Sequence, residues 1–195
     1  FLNGSLAREK VRNEHSLDWK GFSEMLRATP PGNNGSIMFP WFEAEITPDV
    51  RTPGVRRVDL AAGDKARNVR AVVEAQMMAL ANHSRWMGVE VDVIHATGGA
   101  AVNTDILQVL ADVFEAKVRR FKVTNSACLG ATLRAYHAEA TANGSGLSWE
   151  KVVDGIAVPV AESPIMPKQS SVKTYTRLRR RYAKLEPLAI SGCSD

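Results

Sequence analysis

Residues 91–114, VDVIHATGGAAVNTDILQVLADVF, place a short apolar run, a pair of glycines and an amphipathic stretch in immediate succession. The run from 91 to 96 has the length of a strand, and its mostly apolar character predicts one covered on both faces. Gly98 and Gly99 fall where that strand would leave its sheet; lacking a Cβ, they permit positive φ and close approach of another group to the backbone. Beyond them, Asn103 or Thr104 can cap a helix in which Ile106, Leu107, Val109, Leu110, Val113 and Phe114 recur at spacings of three and four. The segment therefore asks for an α/β layer with its turn at the carboxyl end of a strand. Open α/β sheets bind ligands at that position.

The turn fits neither of the common phosphate fingerprints, since GGAAVN is not G-x-G-x-x-G and not G-x-x-x-x-G-K-[ST]. Two readings stay open for it. One is a plain tight connection; the other is a surface against which something flat lies, with the Asn103 side chain in hydrogen-bonding reach.

A chain of 195 residues can bury one sizeable core or two small ones, and 45% hydrophobic with 24% charged residues is ordinary for a globular protein. No apolar run approaches the roughly 18 residues of a membrane span, so no membrane partner is expected. The sequence opens on Phe1 without a secretion signal and reads as a piece of a longer protein. Cys128 and Cys193 lie far apart, the second in a polar tail; they make neither a disulfide framework nor a metal site, as expected of a reducing cytoplasm. The net charge is +4, and basic residues concentrate around 51–57 and 177–181. Two short clusters without interleaved aromatics read as solvated surface, and no nucleic-acid partner is expected.

Elsewhere, residues 6–13 read as a short helix. A second begins near Ser16 or Asp18, with Trp19, Phe22 and Leu26 sharing a face. Periodicity puts Trp19 in the core; alternatively its indole projects into a cleft where a flat ring can stack. A loop at 29–36 leads into a strand at 37–42 carrying Pro40. Glu43 and Glu45 are read as a surface pair or as partners of the arginines that follow. An irregular stretch at 47–63 contains a short strand near 55–60. Residues 64–87 form the longest helix, capped by Asp64, with an apolar stripe at Val69, Val72, Val73, Gln76, Met77 and Leu80 and a pair at Arg70 and Glu74. His83, near its carboxyl end, is read as structural. A strand follows at 117–123, and a helix opens at 124–131 and runs to about 142; its small residues are expected to approach the sheet or the glycine turn closely. Cys128 is expected there as a small apolar filler. A further short helix at 149–156, an extended stretch at 157–168 and a basic amphipathic helix at 170–185 complete the chain.

ATGGAAVNTDILQVLADVFEAKV and, in register, TNSACLGATLRAYHA resemble the adenosine motif and following helix of the FGGY carbohydrate kinases. FLNGSLAREKVRNE, the GNNGS to EITP segment, RAVVEAQMMA and YAKLE extend the likeness over almost the whole chain, in the xylulose-phosphorylating branch found in animals and plants. FPWFEAEITP stands where many relatives carry P-Y-L-x-G-E-R-T-P, which agrees with that branch and argues against transfer from other sugar kinases.

The resemblance implies an α/β fold, a ribonuclease H-like domain of the actin and hexokinase superfold with a mixed sheet and flanking helices. Residues 1–195 would be most of the carboxyl-terminal, ATP-binding domain of a two-domain kinase. It would use ATP and Mg²⁺ to phosphorylate D-xylulose at its 5-hydroxyl, in the cytoplasm. By the same resemblance Gly99 and Ala100 lie against ATP or ADP, Asn103 hydrogen-bonds to it, Trp19 lines or stacks on the adenine, and Gly98 makes the turn. The catalytic aspartate, the sugar site and the phosphate loop are expected upstream of Phe1, so this chain alone would bind nucleotide weakly and not phosphorylate sugar. A surface exposed by an absent domain would favour association, for example as a homodimer. The competing readings are a non-catalytic nucleotide-binding or scaffolding module of the same superfold and, behind it, a basic nucleic-acid binder.

Overall fold

The computed structural model describes residues 2–121, 123, 125–156, 158–161 and 164–192. Cys193 and Thr124, the first residue of the TNSAC motif, lie outside them, as do parts of the stretch expected to be extended at 157–168.

Two helices open the chain, α1 (Ser5–Glu14) and α2 (Trp19–Ala28). Asp18 caps α2 by accepting from the Gly21 backbone N–H at 2.7 Å. Strand β1 (Ile37–Trp41) pairs antiparallel with β2 (Gly54–Val58), Pro40 lying opposite Val55. Proline fits because β2 is the only strand paired with β1 among the described residues. All five β1 residues are buried, with Phe39 against the Tyr182 ring at 4.7 Å.

The hub is α3 (Lys65–His83), capped by the Asp64 side chain accepting from the Arg67 N–H at 3.1 Å. It packs against α1, α2, β1 and two later helices, α4 (Thr104–Phe114) and α7 (Gln169–Ser191). Val69, Val72, Val73 and Met78 are fully buried, but so are Asn68 and Glu74, and Arg70 nearly so. The stripe read from periodicity is therefore too narrow, and Leu80, assigned to it, is 36% exposed. The buried polar face is tolerable because most of its polar atoms are bonded, Glu74 Oε2 being without a partner among the described residues. Glu74 Oε1 accepts from Arg70 Nε at 2.6 Å, from Tyr175 Oη at 2.8 Å and from the Gly32 N–H at 2.8 Å. Arg70 also donates to Tyr175 Oη and to the Leu26 carbonyl. One carboxylate thus fastens α7 and the loop after α2 to the hub.

The amino-terminal residues are fastened the same way. Glu45, expected on the surface, is 5% exposed and accepts from the backbone N–H groups of Leu2, Asn3 and Ile46 at 2.9–3.0 Å. Glu43 pairs with Lys10, not with the arginines that follow. His83 is structural as read, bonded to Glu186 of α7 at 3.0 Å.

The hub helix ends with Ser84 as its carboxyl cap, short of the expected Met87, and Gly88 at φ +64° closes the one-turn 3₁₀ segment Arg85–Met87 that follows. Strand β3 (Val93–Ala96) then pairs in parallel with β4 (Lys117–Arg120), and α4 lies between them in sequence and packs on β4. The expectation of a strand covered on both faces fails here: only Ala96 of β3 is buried, and Val93 is 38% exposed. Among the described residues no helix covers the side of β3 that carries Val93 and His95. Helix α5 (Ser126–Ala142) buries none of its residues and packs chiefly on α6 (Trp149–Val153). Its alanines, glycine and threonines give it no dominant apolar face, so the expected approach to the sheet is not made. Cys128 is exposed accordingly, and not a filler. The architecture is mixed α/β, with two small sheets flanked by helices among the described residues.

Candidate functional site

The glycine turn forms as the sequence predicts. Gly98 has φ +82°, a conformation that L side chains rarely adopt, and a 3₁₀ turn over Gly99–Val102 follows. Gly99 is different: its φ is not positive, and a Cβ built on it meets nothing within 4 Å. The protein's own packing does not require glycine there. What its missing side chain does is leave space in front of the turn.

That space is an open groove of about 660 Å³, in the range of small-molecule sites. Four segments wall it. Ser5 and Arg8 come from α1, Trp19 from the first position of α2, Thr97, Gly99 and Val102 from the turn, and Asn103 and Ile106 from the start of α4. Ala100 follows Gly99 in the same turn. Trp19, which periodicity assigned to the core, is 44% exposed. Being the first residue of α2, it projects beyond the buried face continued by Phe22 and Leu26, and meets Phe22 only edge-on at 5.4 Å. The Arg12 guanidinium lies 4.5 Å from the centre of its ring.

Asn103 caps α4. Its Oδ1 accepts from the Asp105 and Ile106 N–H groups at 3.1 Å, and its Nδ2 donates to Ser23 Oγ at 2.8 Å. Together with the ion pair between Arg27 and Asp105 at 3.3 Å, this locks α2 to the start of α4 and fixes Trp19 relative to the turn. One N–H of the Asn103 amide remains for another acceptor.

Arg8 was missed from the sequence, where it is one of several charges on a short amphipathic helix. It is 7% exposed, and burial lowers its pKa from the ordinary arginine value. Ser5, Ser23, Thr97 and Val102 carried no signal either. Ile106 was legible only as a member of the apolar stripe. No group of three or more His, Cys, Asp or Glu able to hold a metal ion occurs among the described residues, nor does any helix long and apolar enough to cross a membrane.

The xylulose kinase of Rattus norvegicus is 40% identical to this chain over 198 residues, covering 98% of the chain and 36% of the rat protein. The crystal structure of xylulose kinase from Lactobacillus acidophilus superposes with a TM-score of 0.80 at 21% identity, over 96% of this chain and 38% of that one. Glycerol kinase from Plasmodium falciparum with ADP gives 0.64 at 18% identity, over 92% and 35%. The chain thus spans little more than a third of the length of these relatives, and its fold is that of the actin- and hexokinase-like sugar kinases. The model of the carboxyl-terminal domain of the FGGY family of carbohydrate kinases matches residues 1–139, and the chain belongs to that family.

Proposed function

We propose that this chain is most of the carboxyl-terminal, ATP-binding domain of a cytoplasmic sugar kinase, and that its groove holds the adenosine of ATP or ADP. The carrying observation is convergence. Trp19, Gly99 and Asn103, separated by up to 84 positions in sequence, wall one groove of about 660 Å³, and Ala100 sits in the same turn. The dimensions suit a nucleoside, and the walls offer an aromatic face, open backbone and one unspent amide N–H. Trp19 would support the adenine, the backbone at Gly99 and Ala100 would lie along the nucleotide, and Asn103 would donate to it.

In the complete enzyme the reaction would be transfer of the ATP γ-phosphate to the 5-hydroxyl of D-xylulose, giving D-xylulose 5-phosphate. The 40% identity to the rat xylulose kinase supports that substrate over other sugars. Such chemistry rests on positioning and on neutralising phosphate charge, with Mg²⁺ riding on the phosphates instead of in an all-protein cage. This chain's share is to hold the nucleotide so that its phosphates leave the groove in a fixed direction.

Calorimetric titration of Mg·ADP into the chain tests the site. Trp19→Ala and Asn103→Ala should each weaken binding by roughly tenfold, the worth of one stacking contact or one buried hydrogen bond. Binding that neither substitution changes would overturn the assignment.

A further inference from the structure

Taking the groove as a nucleotide site, we infer that Arg8 is its phosphate contact, so that the groove distinguishes a nucleoside diphosphate from the bare nucleoside. Among the described residues that line the groove, Arg8 alone is charged. Its guanidinium is held in place before any ligand arrives: Nη1 donates to Gln76 Oε1 at 2.5 Å, and Gln76 is itself fixed by donating to the carbonyls of Asn3 at 2.8 Å and Gly4 at 2.7 Å.

The partner is a neutral amide. Arg70, the other buried arginine of this core, has the Glu74 carboxylate at 2.6 Å; Arg8 has no carboxylate within ion-pair distance among the described residues. A buried guanidinium without a counter-charge is costly, and an anion in the groove would remove that cost. Guanidinium suits phosphate because its donors form a planar fork, and here one nitrogen is already engaged, which sets the direction of the rest. If Arg8 served only to join α1 to α3, the uncharged amide of a glutamine would make the same bond to Gln76 without burying a charge.

Calorimetric titrations with adenosine, ADP and inorganic pyrophosphate, without Mg²⁺ and at low salt, test this. The unsubstituted chain should bind ADP at least about tenfold tighter than adenosine, and pyrophosphate should compete with ADP. Arg8→Gln should reduce that margin to about twofold while leaving adenosine within about twofold, and should abolish the competition by pyrophosphate. Gln76→Glu, which keeps Arg8 but gives it a counter-charge, should lose the same margin and serves if Arg8→Gln does not fold. The inference is overturned if ADP and adenosine bind equally to the unsubstituted chain, if neither binds, or if Arg8→Gln weakens both by one factor. Failure of the nucleotide reading looks different: Trp19→Ala leaves adenosine binding unmoved while pyrophosphate still depends on Arg8.

Discussion

The amide of Asn103 is divided between two tasks, its oxygen closing the first turn of α4 and its nitrogen reaching Ser23 of α2 at 2.8 Å. Replacement can separate them. Aspartate caps a helix as well as asparagine and is favoured by the helix dipole, whereas alanine loses the cap at a cost of about 1 kcal/mol. Asn103→Asp should therefore keep the urea midpoint of the unsubstituted chain while weakening ADP roughly tenfold, because it removes the donor and adds negative charge beside an anionic ligand. Asn103→Ala should lower both. If Asn103→Asp binds ADP normally, the residue is a cap and nothing more.

The two glycines of the turn should respond oppositely. Gly98 holds φ +82°, so Gly98→Ala strains the backbone and should cost about 1 kcal/mol or somewhat more in stability. At Gly99 a side chain meets open space, so Gly99→Val should leave stability within about 0.5 kcal/mol. It would, however, fill the mouth of the groove, and ADP affinity should fall by more than about tenfold. Thermal melts and calorimetry on the two variants decide the matter, and a Gly99→Val chain that binds ADP as before would remove the turn from the site.

Much of the local structure was legible because it follows from short-range chemistry. Asp18, Asp64 and Asn103 cap the helices their positions announce, and Gly98 and Gly88 take the positive φ for which glycine is suited. What periodicity misjudged depends on partners distant in sequence. Arg70 and Glu74 pair as read, but their burial was not legible in the helix, because it rests on Tyr175, about a hundred positions on, which bonds both. Glu45 looks solvated until Leu2 and Asn3 fold back onto it. Val93 and Cys128 err the other way: their composition suits a covered sheet and a packed helix, but whether a layer lies over them is a property of the tertiary fold. At the groove, the motif pointed to Gly99 and Asn103, while Arg8 became visible only when α1 was seen to lie beside them.

The cluster of Arg70, Glu74 and Tyr175 should be the most sensitive polar feature of the core. Glu74→Gln leaves a buried guanidinium without its counter-charge and should cost about 3–5 kcal/mol, while Tyr175→Phe, which removes one hydroxyl, should cost about 1–2 kcal/mol. The double variant should cost at least about 0.5 kcal/mol less than the sum, since both substitutions act on the bond between Tyr175 and Glu74 Oε1, one by removing the donor and the other by removing the acceptor's charge. Urea denaturation of the four chains gives the cycle. Strict additivity would mean that the hydroxyl acts independently of the carboxylate.

The Glu45 carboxyl makes the anchoring of the amino terminus dependent on acid. Burial acts to raise its pKa, but the N–H donors of Asn3, Leu2 and Ile46, with the Asn3 amide, together outweigh burial and hold it below its ordinary value of 4.5. A carboxylate whose folded pKa lies below its unfolded one contributes stability in full above the unfolded value, and that contribution is lost as pH falls through the folded value. The difference in stability between the unsubstituted chain and Glu45→Gln should then be constant from about pH 7 to pH 5 and shrink progressively below about pH 4.5. In the same acid range, hydrogen exchange at Ala7, whose N–H bonds the Gly4 carbonyl at 3.2 Å, should accelerate as the segment holding Gly4 loosens. Urea midpoints measured for both chains across that range give the first quantity. A difference that stays flat to about pH 3 would mean that a neutral carboxyl holds Leu2 and Asn3 as well as a charged one does, and that the charge has no part in fixing the helix that carries Arg8.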